Sequence, residues 1–155
     1  MRTYLMFAAW TLLAGAGIPL VGTLNSGVAR SVGNPFAATA IMFAVGLLIA
    51  VVVTLPVFGA PTPAQITGAP PISYAAGAIM CLYALSATVI IPRLGAASFV
   101  AFILIAQLFT SAVVDQFGLF GMARRPIDML RLAGLLVIVA GIGLMEIANL
   151  RRAHP

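Results

Sequence analysis

The chain has 155 residues, of which 63% are hydrophobic and only 7% are charged. Soluble domains carry about 25% charged residues, so a water-solvated globular fold is excluded and lipid must surround most of the chain. The net charge of +5 comes from scattered arginines without a single lysine; they form no basic stripe, which excludes a nucleic-acid-binding surface. The one cysteine, Cys81, excludes an intramolecular disulfide and a cysteine-based metal site.

Five apolar segments are long enough to cross a bilayer as helices, which takes about 20 residues each. They cover residues 4–24, 35–58, 72–91, 96–116 and 129–149, and a short polar tail follows at residues 150–155. Proline and glycine clusters at residues 59–63 and 70–71 separate the second span from the third, because these residues break helices. The sequence therefore predicts an all-α membrane protein with a single five-helix domain.

The first span contains three residues that weaken a helix near its middle, Gly15, Gly17 and Pro19. Pro19 has no N–H to donate to the carbonyl of Gly15, and transporters expose the backbone of such broken helices to their solutes. Trp10 precedes the break and is either an interfacial aromatic or a wall of a solute cavity. Asn25 follows the break and is either a solute ligand or a cap for the end of the helix.

Two further candidates for solute binding lie well inside their spans. A polar group in hydrocarbon is unfavourable unless it is paired, so each of them requires a partner. Tyr83 in the third span is a candidate wall of the cavity. Gln107, at the middle of the fourth span, either lines the cavity or forms a hydrogen bond that holds two helices together.

Two carboxylates lie near the ends of spans. Asp115 is either a cation or proton site, or a structural partner of Arg124, Arg125 or an arginine of a second chain. Glu146 has a similar status at the opposite membrane face, where two arginines of the tail are within reach. Neither carboxylate is near the bilayer midplane, so the sequence gives only weak support to coupling with protons.

The arginines are shared evenly between the two faces that five spans define. Arg2, Arg124, Arg125 and Arg131 fall on one face, and Arg30, Arg93, Arg151 and Arg152 fall on the other. Membrane proteins are oriented by an excess of Lys and Arg on one side, and here four arginines oppose four. Either a local feature such as Arg124-Arg125 still selects one topology, or the chain inserts both ways and pairs in opposite orientations, as inverted-repeat transporters do.

A stripe of small residues on the fifth span provides a surface for such pairing. Gly134, Gly141 and Ala148 recur every seven residues and so share one helix face. Small residues allow two helix backbones to approach closely in a membrane, although they also pack helices within one subunit. The sequence thus indicates these three residues as a dimer seam.

Several short segments together carry a resemblance to a known family. They are Gly17-Ile18-Pro19, Asn25-Ser26-Gly27, Asn34-Pro35-Phe36-Ala37-Ala38, Phe43-Ala44-Val45-Gly46, Ile91-Pro92-Arg93-Leu94-Gly95-Ala96-Ala97, Gln107-Leu108, Asp115-Gln116-Phe117-Gly118-Leu119-Phe120-Gly121 and Arg131-Leu132-Ala133-Gly134. In this order the chain resembles the YdcZ-type family of the drug/metabolite transporter superfamily, small bacterial inner-membrane proteins with five spans. Ala106 departs from the family pattern, which often has Gly before the Gln.

The resemblance implies an antiparallel homodimer of ten helices in the bacterial inner membrane. The glycine stripe is also similar to the dimerising helix of small multidrug-resistance proteins, which are distant relatives of the family. The resemblance does not supply a substrate.

Motifs for enzymes and cofactors are missing from the sequence. It has no glycine-rich phosphate loop of the Walker type, and its only histidine is His154 in the tail. We therefore expect no enzyme activity, cofactor or bound metal, and transport that is not driven by ATP binding to this chain.

We expect a secondary transporter of small organic solutes, an exporter by analogy with the superfamily, that works by alternating access. Its partners would be the lipid bilayer, a second copy of itself in the opposite orientation and the solute, with no nucleic acid. The alternatives are a small dual-topology ion channel, or an accessory subunit of another membrane protein.

Overall fold

A computed structural model describes residues 2–153, with side chains as far as Arg151, and every regular element in this part is helical. The α-helices are α1 (Arg2–Ala16), α2 (Ile18–Val32), α3 (Pro35–Phe58), α4 (Pro63–Thr67), α5 (Ala75–Leu94), α6 (Ala96–Phe117) and α7 (Met129–Ala153), with single 3-10 turns at Pro71–Tyr74 and Leu119–Gly121. The end of the expected polar tail, at residues 154–155, lies outside the described residues.

Five helical segments are long and apolar enough to cross a membrane. They are Arg2–Val32, Pro35–Phe58, Pro71–Leu94, Ala96–Phe117 and Met129–Arg151. Their surfaces are those of lipid-solvated helices, since large apolar side chains lie outside along most of their length. The predicted all-α class with five membrane spans is therefore confirmed.

The first span is interrupted at Gly17, between α1 and α2. The Gly17 N–H donates to the carbonyl of Ala14 at 3.1 Å, a tighter turn than an α-helix makes. Pro19 lies in the first turn of α2, where its missing N–H disrupts no helical hydrogen bond. The structure thus places a joint in this span at Gly17.

The first span also runs further than expected from its apolar residues. The predicted segment stops at residue 24, whereas α2 continues to Val32 and ends at Gly33, whose φ of 74° is the left-handed conformation of a glycine cap. The reason is that Asn25 and Ser26, which interrupt the apolar pattern, are buried and hydrogen-bonded inside the protein.

The chain divides into two compact units, residues up to Ala96 and residues from Ala97 onward. In the first unit α2 packs against α3 and α5, and α3 packs against α5. Small residues allow the close approach: Ala38, Ala84 and Ala87 are almost fully buried. A Cβ atom at Gly22 would lie 2.9 Å from the Cβ of Ala87, so α2 and α5 cross at a distance that only glycine permits.

The second unit is an antiparallel pair formed by α6 and α7. At one end of the pair Arg131 forms an ion pair with Asp115, and at the other end the Asn149 amide donates to the hydroxyl of Ser98 at 3.4 Å. Asp128 begins α7 by accepting the N–H of Arg131 at 2.6 Å, as helix N-caps do. Polar contacts at both ends therefore set the register of the two helices.

Candidate functional site

A buried polar network joins the three core helices of the first unit. The Asn25 side-chain amide on α2 donates to the hydroxyls of Thr88 on α5 at 2.7 Å and Thr39 on α3 at 3.3 Å. The Ser26 hydroxyl donates to the Thr88 carbonyl at 3.0 Å. Each threonine hydroxyl in turn donates to a carbonyl four residues earlier in its own helix. All four residues are buried, so the network is a hydrogen-bonded polar core within an apolar unit.

The alternative in which Asn25 caps the end of a helix is wrong, and its role as a solute ligand stays a prediction. Asn25 lies in the middle of α2 and does not cap it, and its amide hydrogen bonds already go to protein groups. The sequence reasoning missed its partners Thr39 and Thr88. Hydroxyl groups inside apolar spans are the signal for such partners, but their pairing depends on how the helices pack.

A cleft opens beside this network at the end of α2. Its volume is about 280 Å³, and it is lined by Ser26, Ala29, Arg30, Gly33, Pro35, Thr88, Val89, Pro92 and Arg93. Ser26 and Thr88 are buried polar residues in its wall, whereas Arg30 and Arg93 are exposed. In the sequence these two arginines only indicated membrane orientation. They are more than 60 positions apart, so the sequence could not show that both border one cleft.

Gln107 lies at the middle of α6, on a face that does not contact α7. The residues of α6 that border an apolar cavity of about 410 Å³ shared with α7 are Ile105, Leu108, Phe109, Ala112, Val113, Gln116 and Phe117. Gln107 is exposed and forms no hydrogen bond with any described residue. Ser111, one turn further along, is exposed on the same side. The Ser111 hydroxyl donates to the Leu108 carbonyl of its own helix at 2.9 Å, so Gln107 alone is left without a hydrogen-bond partner on this face among the described residues.

Asp115 is held by the loop that joins α6 to α7. Its carboxylate pairs with the Arg131 guanidinium, and its backbone carbonyl accepts the Arg125 N–H at 2.8 Å. The structural alternative for Asp115 named Arg124 and Arg125 as partners, but its carboxylate pairs with Arg131, and Arg124 donates to the carbonyl of Gln116 at 3.1 Å. Arg131 reaches the Asp115 carboxylate because it lies in the first turn of α7, which begins beside the end of α6.

The remaining candidate residues, Trp10, Tyr83 and Glu146, take no part in the ion pair between Asp115 and Arg131. Trp10 is 76% exposed on α1, and Tyr83 is half-buried on α5. Glu146 accepts a hydrogen bond from the Asn149 amide at 3.3 Å, whereas the side chain of Arg152, one of its expected partners, lies outside the described residues.

The small-residue stripe of α7 is open. Gly134, Gly141 and Ala148 are all exposed, and a Cβ atom at either glycine would meet no atom within 4 Å. At about 100° per residue the stripe lies opposite Leu132 and Val139, which border the cavity shared with α6. The face is therefore available to another helix.

The relationship to known proteins follows from a family comparison. Residues 6–144 match the family model described as "Putative inner membrane exporter, YdcZ". The chain belongs to the YdcZ family. It is a multi-pass protein of the inner membrane. Its family is one of membrane exporters, so its partners are the lipid bilayer and a small solute. No curated protein and no solved structure matches the chain.

Membership of the YdcZ family confirms the resemblance drawn from the short segments. The match includes every candidate solute-binding residue, the joint at Gly17 and two of the three residues of the α7 stripe; Ala148 lies beyond its end. The YdcZ family is a family of exporters and not of enzymes.

Proposed function

We propose that the chain is one half of a secondary exporter of small organic solutes, built from two copies in opposite orientations. The single observation that carries the two-copy arrangement is Gln107, a polar side chain at mid-span that its own unit leaves unpaired. In hydrocarbon such a group is unfavourable, so a solute, a water-filled cavity or a second copy must cover it.

The stripe on α7 is the proposed contact between the copies. A Cβ atom built on Gly134 or Gly141 meets no other atom within 4 Å, which supports the approach of a second α7 to this stripe. Close approach of small residues is how helices associate in lipid. The even division of arginines supports opposite orientations for the two copies.

Alternating access would come from tilting of the two halves around the solute. The interruption at Gly17 supports a joint in each first span, because the turn there lacks regular helical hydrogen bonds. We assign Gln107 and Trp10, both exposed within their spans, to the solute path, and we keep Tyr83 as a proposed part of its wall. Asn25 and Asp115 have protein partners, and we assign them to holding the helices in place.

Reconstitution in liposomes tests this function. We expect saturable uptake of a radiolabelled metabolite, chosen by a thermal-shift screen, with competition by unlabelled solute. Gln107→Leu should abolish uptake while leaving the dimer intact, because it removes the polar group at mid-span. Gln65→Leu is the matched control, since the same chemical change in the short helix α4 lies outside the spans.

Three results would contradict the proposal. Electrical current without saturation would indicate an ion channel, and retained uptake by Gln107→Leu would remove this residue from the solute path. Loss of the folded dimer in Gln107→Leu would show that the glutamine only holds helices together.

A further inference from the structure

The cleft at the end of α2 contains two positive charges. Arg30 lies in the last turn of α2 and Arg93 in the last turn of α5, and both line the same cleft of about 280 Å³. Neither forms an ion pair or a side-chain hydrogen bond with a residue in the described part of the chain. Both guanidinium groups are exposed, so solvent screens their mutual repulsion, and an anion between them would be attracted by both.

Among the described residues, the chain supplies no side-chain anion to this cleft. Its three carboxylates all have other partners: Asp115 pairs with Arg131, Asp128 caps α7, and Glu146 accepts from Asn149. Arg131 thus has a carboxylate partner, whereas Arg30 and Arg93 have none among the described residues. The positive charge of the cleft is left for a partner outside this chain.

A structural role for the two arginines is the alternative. Each occupies the C-terminal turn of its helix, where a cation offsets the negative end of the helix dipole. That role requires only one cation per helix. It does not require the two side chains to border one cleft, and it predicts no response to any ligand.

We propose that this cleft binds an oxyanion, a phosphate or carboxylate group, through Arg30 and Arg93. A guanidinium presents a planar fork of N–H donors that matches both groups, so two of them can hold one anion from two sides. Carboxylates and phosphates of solutes share this chemistry with the phosphate of a lipid headgroup. If the exporter proposed above is correct, on which this extension rests, binding of a soluble anion makes anionic solutes its substrate class.

Thermal unfolding of the purified full-length protein in neutral detergent tests the site without any transport. Inorganic phosphate is titrated against chloride at equal ionic strength in one arm. Phosphatidylglycerol is titrated against phosphatidylcholine in the other. An anion that binds only the folded protein raises its midpoint of unfolding. We expect the wild type to be stabilised in at least one arm.

The variants separate the cleft from general electrostatics. Arg30→Gln with Arg93→Gln should raise the half-saturating concentration at least about tenfold, because two charge-assisted contacts are lost. The matched control is Arg2→Gln with Arg151→Gln, which removes the same charge from exposed arginines outside the cleft. It should respond as the wild type does.

The two arms also identify the source of the anion. Stabilisation by phosphate supports a soluble anion, and stabilisation by phosphatidylglycerol alone supports a lipid headgroup. An equal response of the wild type and the Arg30/Arg93 variant, or no response of the wild type in either arm, would overturn the site. The thermal-unfolding experiment measures no uptake, so a negative result would overturn the anion site without affecting the proposed exporter function. Conversely, a failure of the uptake experiment would not affect the anion site.

Discussion

At the scale of single residues, the buried threonines show how one side chain can serve two helices. The hydroxyl of Thr88 donates to the Ala84 carbonyl at 2.8 Å in its own helix and accepts from the Asn25 amide at 2.7 Å. Thr23 makes only the first kind of contact, with the Pro19 carbonyl at 2.9 Å. The two threonines therefore differ in the contact to another helix, which is the one that stabilises packing.

Thr88→Val tests this contact. We expect the free energy of unfolding in mixed micelles to fall by about 1–2 kcal/mol, because the variant leaves the Asn25 amide without its stronger acceptor in a buried site. Thr23→Val changes the same atoms at an exposed position and should stay within about 0.5 kcal/mol of the wild type. Equal losses in the two variants would show that the interhelical bond contributes nothing.

Among the glycines, Gly22 has the least room for a side chain. A Cβ atom there would lie 2.3 Å from the Cδ1 of Ile91 and 2.9 Å from the Cβ of Ala87. We expect Gly22→Ala to destabilise the protein by about 1–3 kcal/mol through overpacking. Gly46→Ala on α3, where no atom lies within 4 Å, should be neutral or slightly stabilising. Unfolding in mixed micelles measures both, and a stable Gly22→Ala would contradict the close crossing of α2 and α5.

At the scale of helices, α7 has two faces with different roles. One face borders the apolar cavity with α6 through Leu132, Leu135, Leu136 and Val139. The opposite face carries the open stripe of small residues. An open stripe of small residues opposite a packed face is what we expect of a helix that contacts its own unit on one side and, in the proposed pair, a second copy on the other.

Gly141→Leu tests the seam. We expect it to weaken association of the two copies at least about tenfold, because a large side chain would separate the helix backbones. Gly143→Leu makes the same change two positions along, where no atom lies within 4 Å either but the residue is off the stripe. Energy transfer between labelled copies in bicelles measures association. A seam elsewhere would be indicated if both variants associate as tightly as the wild type.

Elements and long-range contacts differed in how well the sequence predicted them. Four of the spans follow from apolar length and helix-breaking residues, because the bilayer imposes a minimum length. The end of α2 at Val32 does not, since Asn25 and Ser26 interrupt the apolar run and only tertiary packing satisfies them. The pairing of Asp115 with Arg131 was likewise missed, because it depends on the turn of the loop between α6 and α7.

At the scale of the whole molecule, the proposed opposed pair depends on how the chain is oriented in the membrane. Four arginines lie on each face, so the usual charge asymmetry gives the insertion machinery no preference. Neutralising Arg124 and Arg125 leaves two arginines on their face of the membrane and four on the other. The face that carries Arg30, Arg93 and the C-terminal arginines should then become cytoplasmic.

Reporters fused to the C-terminus measure this orientation directly: a fluorescent protein that folds only in the cytoplasm, and a phosphatase that is active only outside it. For the wild type we predict activity of both reporters, and for Arg124→Gln with Arg125→Gln a shift towards the cytoplasmic reporter. Activity of a single reporter in the wild type would mean that all copies point the same way, and the opposed pair would have to be abandoned.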